Sequence, residues 1–556
     1  MAEFKKIMNY KVLITASGLG SRLGNLTKFT NKGLVRIGKK PALSYIIESY
    51  PDDVEFVVTL GHYGDQVKQF LSLAYPDKKI TYVPVENYDG EGSSLLYSMS
   101  LCKDELQCPF IFHACDTVVE KEEIDLSSNW VGANKNGSSF QYRTLNVINN
   151  KVLKINEKGE EFFDYVYIGL CGIKDYELFW NYTDEVLGET TESGLSDCHV
   201  ISKMMDHFDF SVVEHKTWYD IGNVDSLKKS RESIPDRFHL LDKEDESIFI
   251  FDEDFVIKFF YDKKISSDRV KRMGYLKGIT PKLLGSTDNF YKYEYVKGDT
   301  FSNVVSPKVF RVFMEWIKDY LWKPTNVDIR EKCNEFYFEK TYKRVAKYYA
   351  DNGIVKDEES LINDQPIPPL FEMLEEAKDK IYMNCPMKGY RIHGDLVLEN
   401  IISQTEYLRM KFWKRVFKDV FVQQRKKDFT LIDWRQDFAG DMRSGDRYYD
   451  LAKLKHNLIV SHDVLDKGLY TLDIQDTRNV RVDIMRSHDK YKCCNELEMF
   501  ARHVNMDIRR VNLITCLIWI NMAPLHPKPI SDFLFYFGKY NLCRALKHDH
   551  TPYGTY

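Results

Sequence analysis

Residues 11–35 read KVLITASGLGSRLGNLTKFTNKGLV. An apolar, β-rich run, KVLIT (11–15), leads into a turn carrying Gly18 and Gly20, then Arg22, and ten residues later Lys32. Glycines after a strand let backbone N–H groups approach a phosphate closely, and the two cations neutralise it. Further along, EFVVTL (55–60), ITYVPV (80–85) and FIFHAC (110–115) repeat the strand signature, and SYIIESY, DQVKQFLSLAY and SSLLYSMSLC alternate with them as helices. This βαβα order predicts an α/β fold with a mostly parallel, helix-covered sheet and ligands beyond the C-terminal ends of its strands. The pattern continues less regularly to WYDIGNVDSLKKS at 218–230.

The chain has 556 residues. At roughly 150 residues per domain that length suggests three or four domain-sized units. A content of 44% hydrophobic and 29% charged residues is that of a globular protein. The net charge of −5 supplies no global basic field for nucleic acid. The first residues, MAEFKKIMNYK, lack the apolar stretch of a signal peptide. The apolar stretch Val511–Leu525 contains Asn512, Asn521 and Pro524 and is too short to span a bilayer, so a buried helix is expected. Eleven cysteines without a CxxC pair suit reduced thiols and a cytoplasmic location.

After a polar linker, Arg231 to Glu246, the character changes. SIFIFDEDFVIKFFYD (247–262) reads as a β-hairpin turning near Asp252–Asp254, and NFYKYEYVKGDT (289–300) as another strand. Helical segments dominate from 306 to 383 and from Tyr449 onward. The expected organisation is residues 1–235, then 236–556 with a small β-rich lobe at about 240–300 and a helical lobe at about 301–556. No internal repeat is evident. The insert at 403–428 has a basic, aromatic centre, YLRMKFWKRVFKDVFVQQRKK, that suits either a solvated helical hairpin or a partner surface.

Two further groups of residues carry chemistry. In the first half, Asp116 ends the strand FIFHAC, INEKG supplies Glu157 and Lys158, WYDIGN supplies Asp220, and GEGSS (Gly90–Ser94) forms a polar loop containing Gly92. In the second half, IHGDLVLEN (392–400) and LIDWR (431–435) give Asp395, Asn400 and Asp433. Carboxylates and an amide at that spacing suit Mg²⁺ and a nucleotide phosphate, and Asp395 suits a substrate hydroxyl. Lys258 lies in a β-like segment from which it can reach nucleotide phosphates.

On these residues, 11–226 resembles the sugar-phosphate nucleotidyltransferases, a family that includes phosphocholine cytidylyltransferases. The matching positions are Gly18, Gly20, Arg22, Lys32, Asp116, Glu157, Lys158, Asp220 and Gly222; Ser17 and Asn31 depart from the family's alanine and proline. The resemblance implies a Rossmann-like transferase in which Asp116 and Asp220 hold Mg²⁺, Arg22 and Lys32 stabilise the triphosphate, Lys158 binds the acceptor phosphate, and Gly92 contacts nucleotide or substrate. Residues 240–556 resemble the aminoglycoside phosphotransferase and choline/ethanolamine kinase family, and GDRYYDLAKL (445–454) strengthens the match. That resemblance implies a bilobal kinase-like α+β domain. Asp395 is then the base, Asn400 and Asp433 are Mg²⁺ ligands, Lys258 is the ATP-phosphate lysine, and Tyr293–Val296 is a hinge with Glu294 and Val296 beside the nucleotide. Asp450 is expected to cap and anchor its helix. There are two departures: SSDRVKRMGYLKG (266–278) offers no glutamate for Lys258, and the first hairpin turn is not glycine-rich.

Together the two resemblances imply a bifunctional enzyme. It would phosphorylate a small alcohol (a sugar or amino alcohol) with ATP. It would then couple the phosphomonoester to a second NTP, CTP or UTP, to make an activated building block for a surface glycan. CDP-choline or CDP-ethanolamine synthesis, a regulatory pseudokinase lobe and a non-enzymatic scaffold remain open alternatives. The partners expected are small molecules, with no nucleic acid, no membrane span and scope for a homo-oligomer.

Overall fold

The computed structural model describes residues 10–121, 125–190, 194–234, 243–251, 253–382, 387–404, 428–476 and 479–547. Residues 235–242 of the linker and 405–427 of the insert lie outside them. The chain forms two compact units: residues 1–266 with 284–293, and residues 267–283 with 294–556.

In the first unit, β1 (Lys11–Ala16), β2 (Glu55–Leu60), β3 (Ile80–Pro84) and β4 (Phe110–Ala114) pair in parallel in the order β3-β2-β1-β4. Helices α1 (Ala42–Ser49), α2 (Gly64–Ala74) and α3 (Leu95–Ser100) lie between them in the chain. The strands are near-continuous apolar runs because both faces are covered; Val12, Leu13 and Ile14 are fully buried.

The rest of this sheet comes from β6 (Asn129–Asn134), β7 (Thr144–Ile148), β8 (Lys151–Asn156), β9 (Tyr165–Ile173) and β10 (Phe210–Glu214), giving the order β3-β2-β1-β4-β9-β6-β10-β8-β7. Strand β9 runs antiparallel to both β4 and β6, and β8 is antiparallel to β7 and β10. The expectation of a mostly parallel sheet therefore holds for residues 11–114, whereas beyond them the pairing is mostly antiparallel, with β6 and β10 the parallel exception. There, hairpin-forming segments replace the helical crossovers that parallel pairing requires. A separate two-stranded ladder joins β5 (Thr117–Val119) to β11 (Trp218–Asp220).

The hairpin β12 (Glu246–Phe251) and β13 (Phe255–Phe260) forms in full register. With β14 (Leu283–Ser286) and β15 (Phe290–Glu294) it makes a four-stranded sheet in the order β12-β13-β15-β14. This sheet packs with the first unit. The Phe70 ring on α2 lies 5.4 Å from Phe249 and 6.0 Å from Phe290, and Gln69 accepts a hydrogen bond from the Asn289 N–H at 2.9 Å.

The second unit is built largely of helices, among them α4 (Lys340–Asp351), α5 (Leu370–Tyr382), α6 (Arg447–Ile459), α7 (His488–His503), α8 (Ile508–Met522) and α9 (Ile530–Leu546). The stretch Val511–Leu525 is the buried helix its sequence predicts, with Val511, Ile514 and Cys516 fully buried. No described helix is long and apolar enough to cross a membrane. The expectation of helical dominance over 306–383 and from Tyr449 onward is incomplete, however. Strands β16 (Ser360–Ile362), β17 (Gln365–Ile367), β20 (Tyr470–Asp476) and β21 (Asn479–Ile484) form a sheet in the order β17-β16-β21-β20. Val480, Val482 and Ile484 alternate with polar residues and are buried, the period-two signature of a half-covered strand. The remaining strands of this unit include β18 (Ile401–Ser403) and β19 (Phe429–Leu431).

One buried polar relay ties the first sheet together. His113 on β4 is 1% exposed. Its Nδ1 lies 2.8 Å from the Tyr50 hydroxyl and its Nε2 lies 2.8 Å from the Thr117 carbonyl. A carbonyl only accepts, so Nε2 carries the proton and Nδ1 accepts from Tyr50. Burial pushes the imidazole down to about 4. Above pH 6.5 the histidine is neutral both folded and unfolded and adds no pH dependence. As pH falls from 6.5 to 4 the unfolded chain takes up the proton first, so stability is lost across that window and levels off below it. We expect the urea midpoint to fall between pH 7 and pH 4 by the equivalent of on the order of 2–3 kcal/mol from this group. H113N should reduce that fall relative to the parent protein.

Candidate active sites

The first candidate site is assembled by the β5–β11 ladder. Asp116 directly precedes β5 and Asp220 ends β11; the register sets Asp220 opposite Thr117, and the Ile221 N–H donates to the Asp116 carbonyl at 3.0 Å. Two carboxylates 104 residues apart in the chain are thereby brought side by side. Gly222 sits among them: a Cβ placed there would lie 3.1 Å from Asp220 Oδ1, 3.4 Å from Asp116 Oδ2 and 3.5 Å from Arg22 Nη2. Its own N–H donates to Asp220 Oδ1 at 2.9 Å.

Cations offset this pair. Lys32 Nζ lies 3.2 Å from Asp116 Oδ2. Burial alone would raise the Asp116 carboxyl, but Lys32 and Arg22 overcome it and hold the group below the usual carboxylate range. Burial likewise opposes charge on Lys32, and Asp116 outweighs it, so the ammonium is held above an ordinary lysine. Lys158 lies in the turn after β8, its charge disfavoured by burial and by Arg22 and Arg143. Arg22, Lys32, Lys158, Asp116 and Asp220 thus form one charged cluster.

The glycine turn follows its sequence logic. Gly20 has φ +68°, and a Cβ there would come 2.9 Å from Lys32 Cβ, so only glycine fits. Gly18 faces open space, leaving the backbone free to approach a ligand. Gly92, also at positive φ (+77°), has local contacts, its nearest neighbour being Asn87 Nδ2 at 3.4 Å.

Three further residues shape this site: Asn31, which the sequence marks only as a departure, and Tyr142 and Arg143, which it does not single out. Asn31 is fully buried and fixes the turn that carries Lys32. Its Nδ2 donates to the carbonyls of Ala16 (2.8 Å) and His62 (2.7 Å), and its Oδ1 accepts from the Gly33 N–H (2.8 Å). Three hydrogen bonds thus do what a rigid proline ring does by covalent constraint. Tyr142 donates to Asp220 Oδ2 at 2.5 Å. Arg143 grips Glu157 through Nε and Nη2 at 2.9–3.1 Å, so Glu157 orients an arginine beside Lys158.

Two carboxylates on one open face suit Mg²⁺, which takes one or two protein carboxylates and completes its shell with water and substrate phosphates. Among the described residues no group of three or more His, Cys, Asp or Glu side chains forms a self-sufficient metal site.

The second candidate site lies in the second unit. Strands β18 and β19 pair so that Asn400 and Ile432 meet, the Ile432 N–H donating to the Asn400 carbonyl at 2.9 Å. Asn400 Nδ2 donates to the Asp395 carbonyl at 2.9 Å. His393 Nε2 lies 3.0 Å from the Ile432 carbonyl, and the Arg435 N–H donates to the His393 carbonyl at 3.2 Å. Asp395, Asn400 and Asp433 are therefore gathered by backbone bonds between the two motifs. Asp433 adopts φ +56°, a left-handed conformation that costs a non-glycine residue on the order of 1 kcal/mol.

Asp450 does not cap its helix. Asp446 does, accepting from the Tyr448 N–H at 3.0 Å. Asp450 instead accepts from the backbone N–H groups of His393 (3.1 Å) and Gly394 (2.9 Å) and from Trp322 Nε1 (3.1 Å), and so holds the Asp395 loop. Burial pushes its carboxyl up to about 6 against those donors.

Each acid of this site has a cation. Lys453 Nζ lies 2.7 Å from Asp395 Oδ1, and Arg269 bonds Asp433. The helix carrying Arg269, Lys263–Tyr275, also carries Asp268, a buried acid in the segment that lacks a glutamate. Glu294 accepts from the Lys282 N–H at 3.0 Å, and Val296 is half-buried. Lys258 sits on β13 in the first unit, 7% exposed.

No family model matches the chain. The choline-phosphate cytidylyltransferase of Streptococcus pneumoniae (strain ATCC BAA-255 / R6) is 30% identical over 111 residues, which make up 19% of this chain and 44% of that protein. The match thus spans less than half of that curated relative. Solved structures similar to the chain include the CTP:phosphocholine cytidylyltransferase of Streptococcus pneumoniae, with a TM-score of 0.35, 20% identity, and coverage of 41% of this chain and 99% of that one. The inositol-1-phosphate CTP transferase of T. maritima has a TM-score of 0.33, 17% identity, and coverage of 41% and 98%. The N-terminal region resembles nucleotidyltransferases, and the resemblance covers about 40% of the chain.

The Asn31 bonds make a local prediction. Asn31→Ala leaves two carbonyls and one N–H unsatisfied in a buried turn and should destabilise the first unit by about 2–3 kcal/mol, read as a drop in thermal midpoint. Asn31→Asp should be worse than alanine, because it keeps the Gly33 bond but sets a carboxylate against two carbonyl oxygens.

Proposed function

We propose that the first unit is a nucleotidyltransferase that joins a phosphomonoester to an NTP. The observation that carries this reading is the convergence of Asp116, Asp220 and Arg22 around Gly222, with Lys32 on Asp116. In the reaction a phosphate oxygen of the monoester attacks the α-phosphorus, the bond to the β-phosphate oxygen breaks, and pyrophosphate leaves. Arg22 and Lys32 neutralise the triphosphate, Lys158 takes the acceptor phosphate, and the open backbone at Gly18 receives phosphate oxygens. Asp116 and Asp220 would hold Mg²⁺, which supplies charge neutralisation between nucleotide and acceptor when bound. Tyr142 fixes the orientation of Asp220. The partial match to a choline-phosphate cytidylyltransferase favours CTP as the nucleotide, with UTP the second candidate.

We further propose that the second unit transfers the γ-phosphoryl group of ATP to an alcohol, supplying the monoester that the first unit consumes. Support comes from the order HGD, Asn400, Asp433 and from the backbone bonds that gather them. Asp395 orients the hydroxyl and takes its proton, and Lys453 holds Asp395 ionised. Asn400 and Asp433 would hold Mg²⁺, with Arg269 giving way at Asp433. The product would be an NDP-activated building block of the kind used for surface glycans.

Pyrophosphate release by the full chain with Mg²⁺, across CTP, UTP, GTP and ATP and a panel of phosphomonoesters, tests the first reading. Asp116→Ala and Asp220→Asn should each cut release on the order of 100-fold or more, and Tyr142→Phe about tenfold. Release unchanged in Asp116→Ala rejects the assignment. Asp395→Asn should abolish alcohol-dependent ADP formation and leave pyrophosphate release intact; loss of both together would contradict two separate sites.

A further inference from the structure

The charge around Asp395 narrows the class of alcohol. Arg435 packs against the Asp395 loop, where a Cβ on Gly394 would come 3.0 Å from Arg435 Cβ. Its Cζ lies 4.9 Å from the centre of the Phe336 ring, and its Nε is buried with no hydrogen-bond partner. Lys340 Nζ lies 4.5 Å from the same ring. Phe336 stacks at 4.3 Å on Phe438, so part of its surface is already covered. Arg344, one helical turn beyond Lys340 on α4, gives Nη1 to the Asn521 carbonyl at 3.0 Å. Among the described residues Arg435, Lys340 and Arg344 have no carboxylate partner.

Such a cluster is costly. Like charges four residues apart on a helix repel, and a half-buried cation without a counter-ion recovers only part of the hydration it loses. Burial and the neighbouring Arg435, Arg344 and Lys453 push Lys340 down to about 6. Asp395 is the opposing carboxylate, and Lys453 already occupies one of its oxygens. An ammonium-bearing acceptor entering here would be repelled by Arg435, Arg344 and Lys453 and would share Asp395 with Lys453, whereas an anion would pair with the planar fork of Arg435 and favour the charged form of Lys340.

We propose that the pocket beside Asp395 receives an anionic alcohol, a hydroxyl compound bearing a carboxylate or a phosphate, whose anionic group is bound by Arg435, Lys340 and Arg344. The identity of the reaction rests on the phosphoryl-transfer reading of the second unit. In that reading the hydroxyl oxygen bonds the γ-phosphorus of ATP, the bond to the β-phosphate oxygen breaks to release ADP, and the hydroxyl proton passes to Asp395. Choline and ethanolamine are excluded as acceptors.

The test is calorimetric titration of the full-length protein, saturated with a non-hydrolysable ATP analogue and Mg²⁺. The matched probes are glycerol, glycerate, glycerol 3-phosphate, ethanolamine and choline, extended to glucose, glucuronate and glucose 6-phosphate. Because the first unit is itself expected to bind phosphomonoesters, the binding that counts is the component lost in Lys340→Gln or Arg435→Gln. We expect that component for at least one anionic probe, weakened about tenfold or more in each variant, with neutral and cationic probes bound no more tightly. Carboxylate and phosphate probes separate the two sources of negative charge. Variant-sensitive binding of choline or ethanolamine, anion binding indifferent to both variants, or no binding in either series overturns the inference. ADP formation on the same probes reports separately on the phosphotransferase reading. Anion binding without turnover would uphold the pocket and reject the kinase, while turnover of choline or ethanolamine would do the reverse.

Discussion

The first unit depends on holding two carboxylates together while keeping Asp116 ionised. Asp116 and Asp220 are set side by side by a ladder of three residue pairs, and like charges at that separation repel. Lys32 and Arg22 resolve the conflict, since with both cations in place Asp116 stays ionised although buried. The rest of the local architecture serves those cations. Gly20 lets the turn fold tightly enough to bring Lys32 near, and Asn31 pins that turn to β1 and to His62, two residues past β2.

The second unit meets a similar problem with a different device. Its motif residues are organised through backbone hydrogen bonds among His393, Asn400, Ile432 and Arg435, and Asp450 grips the two N–H groups that precede Asp395. A buried carboxylate that accepts several N–H groups acts as a fixed anchor. This explains why the side chains of Asp395 and Asp433 are left to interact with Lys453 and Arg269. In both units a carboxylate that stays charged beside an ammonium, Asp116 by Lys32 and Asp395 by Lys453, is already prepared for a competing cation, because no proton has to leave first.

How much of this was legible in the sequence follows from the range of each interaction. The parallel strands could be read because each is a local apolar run between helices, and Gly20, Arg22, Lys32, Asp116 and Asp220 because motif spacing preserves them. Tyr142 and Arg143 could not be read, as their roles depend on partners at Asp220 and Glu157 that only the sheet brings close. Asn31 seemed a lost proline until its three hydrogen bonds were seen. The sheet formed by residues 360–367 and 470–484 was missed in a helix-rich context, although the alternation at Val480, Val482 and Ile484 was there to be found. Asp450 was given a capping role from its place near a helix start, whereas Asp446, four residues earlier, performs it.

The cations around Asp395 show where resemblance and physical reading diverge. In the proposed phosphoryl-transfer reading, the motifs HGD and IDW would set the transfer geometry and carry no information about the group that bears the hydroxyl. In the proposed acceptor site that information comes from Phe336, Lys340 and Arg344, about 50 residues before the motif, and from Arg435, two residues beyond its last acid. Phe336 belongs to a π-helical turn, Glu335–Glu339, directly ahead of α4. One extra residue in such a turn rotates the side chains that follow, and these turns are often found at functional sites. That turn leads into the helix face on which Lys340 and Arg344 stand one turn apart. On the proposed reading, acceptor charge is encoded separately from catalytic geometry, so a chain that keeps the motif of one substrate class can carry cations suited to another.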